Sequence, residues 1–128
     1  NENVTRLLLQ LKGETISDML YDDKTGNCWL ASLTNGVYCV DNNFQIKHHY
    51  NKQNTPAYFL TNSVRTLSGD DKGRVWIGTM EGLLILEPET GTFRICRFSP
   101  EDPTTLGHNS IRSILKDNHV DRYILWRA

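Results

Sequence analysis

The sequence predicts an all-β fold of four-stranded antiparallel sheets repeated along the chain, and three observations carry that prediction. A pattern of Trp, Gly and Asp recurs every 47 to 50 residues. Each unit holds short runs rich in β-branched and aromatic residues, bounded by Gly, Asp, Asn and Thr. The third run of each unit is apolar without alternation.

The repeat is read directly from the residues. Ile16, Val64 and Ile111 open equivalent stretches 48 and 47 residues apart, and Trp29 and Trp76 are 47 apart. Trp76 and Trp126 are 50 apart, so the last hairpin carries extra residues. A period in the forties with recurring Trp and Gly is that of β-propeller blades. Helical solenoids share the period, so residue type decides, and β-branched and aromatic runs decide for strands. Turns such as Asp70-Asp71-Lys72-Gly73 and Glu89-Thr90-Gly91 separate them, where Asp bonds its own backbone and Gly takes positive φ. The third runs, Val37-Tyr38-Cys39-Val40 and Leu83-Leu84-Ile85-Leu86, lack the alternation of a half-wet strand. Both of their faces are therefore expected to be covered, as when a blade lies between two others.

In chain order, residues 1–13 are expected to hold the last strand of a preceding blade, over 4–11. A full blade follows over 14–61, with strands near 15–21, 27–32, 36–41 and 44–50. A second spans 62–108, with strands near 64–68, 74–79, 82–87 and 92–98. Residues 109–128 supply the first two strands of a further blade. The expected architecture is thus a β-propeller fragment of about two complete blades plus partial ones. Trp29 and Trp76 are expected at equivalent, largely buried positions between blades. A fragment of this kind needs the remaining blades of its parent. Its open blade ends also make self-association an expected behaviour, because uncovered faces and edges pair with other chains.

Bulk composition narrows the function. With 128 residues the chain is the size of one ordinary domain. Its 14 Lys and Arg balance 15 Asp and Glu, so nucleic acid is not an expected partner. No apolar run approaches the roughly 20 residues of a membrane span. The first residues lack a basic n-region and a cleavage site, so an export signal is expected upstream. None of the three cysteines forms a C-x-x-C pair. Cys28 and Cys39 are read as buried free thiols on neighbouring strands.

The stretch NSVRTLSGDDKGRVWIGTMEGLLIL, residues 62–86, resembles the two-component regulator propeller repeat. That repeat runs as a hydrophobic strand, Asp, a turn, Gly, a Trp-Ile-Gly-Thr strand and Gly-Leu. The linker FSPEDPTTLGHNSIRSILKD, residues 98–117, is similar to its inter-blade linker. The first unit departs from the pattern, with Leu30-Ala31-Ser32 where the second has Ile77-Gly78-Thr79. The resemblance covers about residues 14–128. It implies the periplasmic sensor region of a hybrid two-component system, whose parent is a histidine kinase anchored in the inner membrane. It also implies an oligosaccharide ligand and a signal relayed to the kinase. The kinase parts are absent from the sequence, so the chain itself is expected to be no enzyme.

Candidate sites are judged by recurrence, because a feature shared by every unit is scaffold. Asp22, Asp70 and Asp117 recur as turn caps, and Arg65 and Arg112 recur beside Asn62 and Asn109. No metal or cofactor is expected. His48 and His49 are adjacent and point to opposite faces of a strand. His108 and His119 have no Cys or His at zinc spacing, and the Asp-rich turns lack a calcium-loop pattern. There is no nucleophile elbow and no phosphate loop, and Glu101-Asp102 reads as a turn, so no catalytic residue is assigned. The unit-specific stretch is 48–59. Within it His49, Tyr50, Asn54 and Tyr58 are the candidate ligand-binding residues, since flat rings and amides suit a sugar surface. The competing reading is a linker whose Tyr58 and Phe59 pack under a blade. The alternative function is that of a propeller enzyme, a lyase or glycan hydrolase, with its catalytic residues outside this chain. An intracellular WD-type scaffold ranks last, because Trp here precedes Ile-Gly-Thr rather than Asp.

Overall fold

The computed structural model describes residues 1–96, 111–117 and 122–127. Among the described residues one helix, α1 (Glu2–Gln10), precedes ten strands. Strands β1 (Ile16–Asp22), β2 (Asn27–Ser32), β3 (Gly36–Val40) and β4 (Ile46–Tyr50) form one antiparallel sheet in sequence order. Strands β5 (Val64–Gly69), β6 (Val75–Thr79), β7 (Gly82–Glu87) and β8 (Thr92–Cys96) form a second with the same topology. β9 (Ile111–Asp117) and β10 (Arg122–Arg127) pair as a hairpin. This is the β-propeller plan of four-stranded antiparallel blades that the repeat predicts.

The two sheets pack face to face. Trp29, Ala31, Val37 and Cys39 of the first share one buried cluster with Val64, Ile77, Leu84 and Leu86 of the second. β3 is buried at all five positions and β7 at its first five. Leu83 and Ile85 turn to the opposite face, where Ile111 and Ile114 of β9 cover them. Non-alternating strands therefore have two covered faces, as their composition requires. Trp29 and Trp76 hold equivalent registers, opposite Cys39 and Ile85. Their burial differs: Trp29 is 2% exposed beneath the second sheet, while Trp76 is half-buried on the face toward β9.

The segment expected as a strand over 4–11 is instead helical. Leu, Arg and Gln dominate Arg6-Leu7-Leu8-Leu9-Gln10, and these are strong helix formers. Asn1 caps the helix, its side chain accepting from the Asn3 amide at 2.8 Å. Leu7 and Leu11, four apart and on one face, pack on Leu30, Tyr38 and Val40. The outer face of the first sheet is therefore not bare, although Met19 and Tyr21 stay 63% exposed. The cysteines also differ from expectation. Cys39 is buried on the inner face, whereas Cys28 is half-buried on the outer one. Burial pushes the Cys39 thiol up to about 11. The expected strand positions 97 and 98, Glu101, Asp102, His108, Asn109 and His119 lie outside the described residues.

Adjacent innermost strands are tied by polar bonds. Each of β1, β5 and β9 slips register after its first residue, skipping Ser17, Arg65 and Arg112. At the first slip the Ser17 hydroxyl donates to the Val64 carbonyl at 2.7 Å. The Asp18 carboxylate then accepts from the Leu67 amide at 2.8 Å and from the Thr66 hydroxyl at 3.2 Å.

The departure between units noted in the sequence also has a packing cause. Ala31 sits against Val64, whereas a Cβ on Gly78 would stand 2.8 Å from Cγ2 of Ile111 and 2.4 Å from Cγ2 of Thr66. The smaller residue goes with Thr66, whose methyl stands at the register position that Asp18 holds in the first sheet. Gly78→Ala should therefore destabilise the chain by about 1–3 kcal/mol through overpacking. Pairing it with Thr66→Ser, which removes the nearest methyl and keeps the hydroxyl bonded to Asp18, should recover part of the loss. Urea unfolding checks this, and unchanged stability in Gly78→Ala would contradict the close approach.

Candidate functional site

The unit-specific stretch folds as a tight linker between the first and second sheets. Asn51 and Asn54 bond reciprocally, each side-chain oxygen accepting the other's amide N–H at 2.9–3.0 Å. The Thr55 amide donates to the Asn51 carbonyl and the Phe59 amide to that of Thr55. This turn delivers Phe59, 1% exposed, into the inter-sheet core. Tyr50 and Phe59 meet Phe93 edge-on at 5.2 and 5.6 Å, and Tyr58 stacks on it at 5.1 Å.

The four candidate residues thus divide into two groups. Tyr50 and Tyr58 belong to the aromatic cluster around Phe93. His49 and Asn54 belong to polar contacts at the end of the first sheet, where the Asn54 amide donates to the His49 carbonyl at 2.6 Å. His49 stacks on Tyr38 with ring centres 3.9 Å apart. Its Nε2 lies 2.7 Å from the Asn35 carbonyl. A carbonyl only accepts, so Nε2 carries the proton.

Beside His49 lies a network that the sequence pattern did not reveal. The Glu14 carboxylate accepts from the Tyr38 hydroxyl at 2.6 Å, the Ser32 hydroxyl at 2.7 Å and the Asn35 amide at 2.9 Å. Burial acts to raise the Glu14 pKa. The bonds from Tyr38, Asn35 and Ser32, with the charge of His49, outweigh it and hold the carboxyl below its ordinary value. Burial, then the Glu14 bond and charge, push the Tyr38 hydroxyl well above its usual range. The available signal was unit specificity: Tyr38 and His49 stand where the second sheet has Leu84 and Ile95.

At the opposite end of the sheets, a cleft of about 410 Å³ opens between the β1–β2 and β5–β6 turns. Leu20, Trp29 and Val75 form its apolar side. Asp22, Asp23, Asp70 and Asp71 line its polar side with Lys24 and Arg74. Two of these carboxylates cap turns as expected. Asp22 accepts from the Lys24 amide and the Thr25 hydroxyl. Asp70 accepts from the Lys72 and Arg74 amides, Arg74 Nε and Trp76 Nε1. Burial raises the Asp70 pKa, but these bonds outweigh it and hold the carboxyl below its ordinary value.

Residues 58–81 match the two-component regulator propeller family. They span the end of the linker, β5 and β6. Those residues are similar to one repeat of that family. Solved structures extend the likeness beyond that repeat. One is the extracellular domain of a protein described as a one-component system of B. thetaiotaomicron. It superposes with a TM-score of 0.72 at 19% identity, over 89% of this chain and 14% of its own. Another, from a hybrid two-component system of the same organism, gives 0.67 at 27% identity with the same coverages. The chain thus spans about one seventh of the length of these extracellular domains. No curated protein matches the sequence.

The lowered Glu14 pKa makes the network a pH-dependent contributor. Its stabilisation is present above the ordinary carboxyl value of about 4.3 and is lost as pH falls through the lower folded value. Between about pH 6 and pH 3 the stability of the wild type should fall more than that of Glu14→Gln. Urea midpoints across that range check this, and parallel curves would contradict it.

Proposed function

We propose that the chain is part of the extracytoplasmic sensor propeller of a hybrid two-component system. In this reading the parent is anchored in the inner membrane, binds a carbohydrate in the periplasm and relays the signal to its histidine kinase. The observation that supports it most is the conjunction of the repeat match at 58–81 with likeness to extracellular domains over 89% of the chain. A stack of sheets joined by their inner strands is suited to transmission, since a displacement of one is felt at the next through packed cores.

His49, Tyr50, Asn54 and Tyr58 in this reading hold the linker in place rather than meet the ligand. All four make internal contacts, Tyr50 and Tyr58 with Phe93 of the second sheet, and His49 and Asn54 within the first sheet and its linker. Asn54→Ala and Tyr58→Ala should therefore lower the melting temperature and leave ligand affinity unchanged.

The test of the reading is calorimetric titration of the complete extracellular region of the parent. The titrants are neutral and acidic oligosaccharides. Saturable binding of at least one saccharide is the expected result. A folded region that binds none of them would overturn the carbohydrate reading.

A further inference from the structure

We propose that the cleft between the β1–β2 and β5–β6 turns is a binding site for a neutral polyhydroxylated ring, a saccharide unit carrying no acid or sulfate group. The inference rests on the carbohydrate reading above and assigns it a place in the fold.

The cleft exists because one side chain is missing. In register, Gly69 of β5 corresponds to Tyr21 of β1, each pairing one position beyond its neighbouring turn. The corresponding residue of β9 is Lys116, so only the middle strand has glycine here. Gly69 faces the first sheet, where a Cβ would lie 3.7 Å from the Leu20 methyls. Its φ is not left-handed, and among the described residues the contacts a Cβ would make are of ordinary van der Waals length. The two close approaches elsewhere do require glycine, at Gly78 and at Gly36, whose Cβ would meet the Tyr50 carbonyl at 2.1 Å. At Gly69, then, the missing side chain serves no backbone need, and its consequence is open space between the sheets.

The chemistry of that space selects the ligand. Its volume of about 410 Å³ lies within the roughly 300–1,000 Å³ of small-molecule sites. Leu20 gives the accessible apolar side, backed by Trp29 and Val75 at 2% and 3% exposure, and it suits the C–H face of a ring. The polar side carries acceptors and donors together. Asp23, Asp71 and Lys24 are exposed at the mouth, while Asp22 and Asp70 sit deeper, fixed by their turns. Vicinal hydroxyls both donate and accept, so they satisfy carboxylates and cations at once. Four carboxylates against two cations disfavour an anionic ligand. A simple amine offers no acceptor to Lys24 and no ring face to the apolar side.

The experiment uses the complete extracellular region of the parent, wild type and two variants, by calorimetry. The titrants are neutral gluco-, galacto-, manno-, xylo- and arabino-oligosaccharides, with galacturonic acid oligomers as the acidic arm. Gly69→Tyr places in the second sheet the residue that the first already carries. It should fill the cleft, keep the melting temperature and weaken neutral-saccharide binding about tenfold or more. Asp23→Ala with Asp71→Ala, both exposed, should weaken the same binding without loss of folding. Wild-type saccharide binding that survives in both variants would overturn this site while leaving the carbohydrate reading intact. Preference for the acidic oligomers would overturn the neutral-ligand assignment. Absence of all saccharide binding in the wild type would overturn both.

Discussion

The face-to-face burial of neighbouring sheets is the constraint on which the rest of the chain depends. A four-stranded sheet of this sequence cannot stand alone, because β3 and β7 are apolar on both faces. The solution is to stack. Trp29, Val37 and Cys39 find Val64, Ile77 and Leu84, and Leu83 and Ile85 find Ile111 and Ile114. Trp29 is buried at the first interface, and loss of its indole to Ala costs about 3–5 kcal/mol by analogy with other buried aromatics. On the far face of the first sheet α1 supplies part of the cover, through Leu7 and Leu11.

Given stacking, differences between the units become readable as complementary pairs. Ala31 shares a cluster with Val64, and Gly78 is closed in by Thr66 and Ile111. Tyr21 and Gly69 hold one register position, and the small residue leaves the cleft. Asp18 replaces what is Thr66 in the second sheet, and its carboxylate is satisfied by the backbone of the strand that packs on it. A repeat therefore supplies the scaffold, while departures from it locate the places where adjacent sheets fit differently.

Much of the fold was legible in the sequence. The strands follow from the period, the turn residues and the non-alternating runs, because these are local signals that packing reinforces. The segment 4–11 was not legible as helix, since a short run with several leucines satisfies strand and helix patterns alike. Only the Asn1 cap and the spacing of Leu7 and Leu11 separate them. The candidate site was legible in part. Aromatics and amides marked 48–59, but their roles depend on partners far away in sequence. Phe93 receives Tyr50, Tyr58 and Phe59, and Glu14 receives Tyr38, 24 residues on. The cleft was hidden for a simpler reason: it is made by an absent side chain at Gly69, and glycine beside Asp-Asp reads as turn chemistry.

The proposed sensing and relay would both require that the sheets behave as one body rather than as beads. The two sheets share a core, their innermost strands are bonded through Ser17 and Asp18, and the linker is held by Phe59 and the Asn51–Asn54 turn. The direct test follows urea unfolding of the chain by two probes, Trp29 fluorescence in a variant with Trp76→Phe and Trp126→Phe, and far-ultraviolet circular dichroism. One coincident transition is expected, because exposing Trp29 means separating the sheets and neither is stable alone. Exposure of Trp29 at lower urea than the loss of strand signal would contradict it, since each sheet would then persist without the interface.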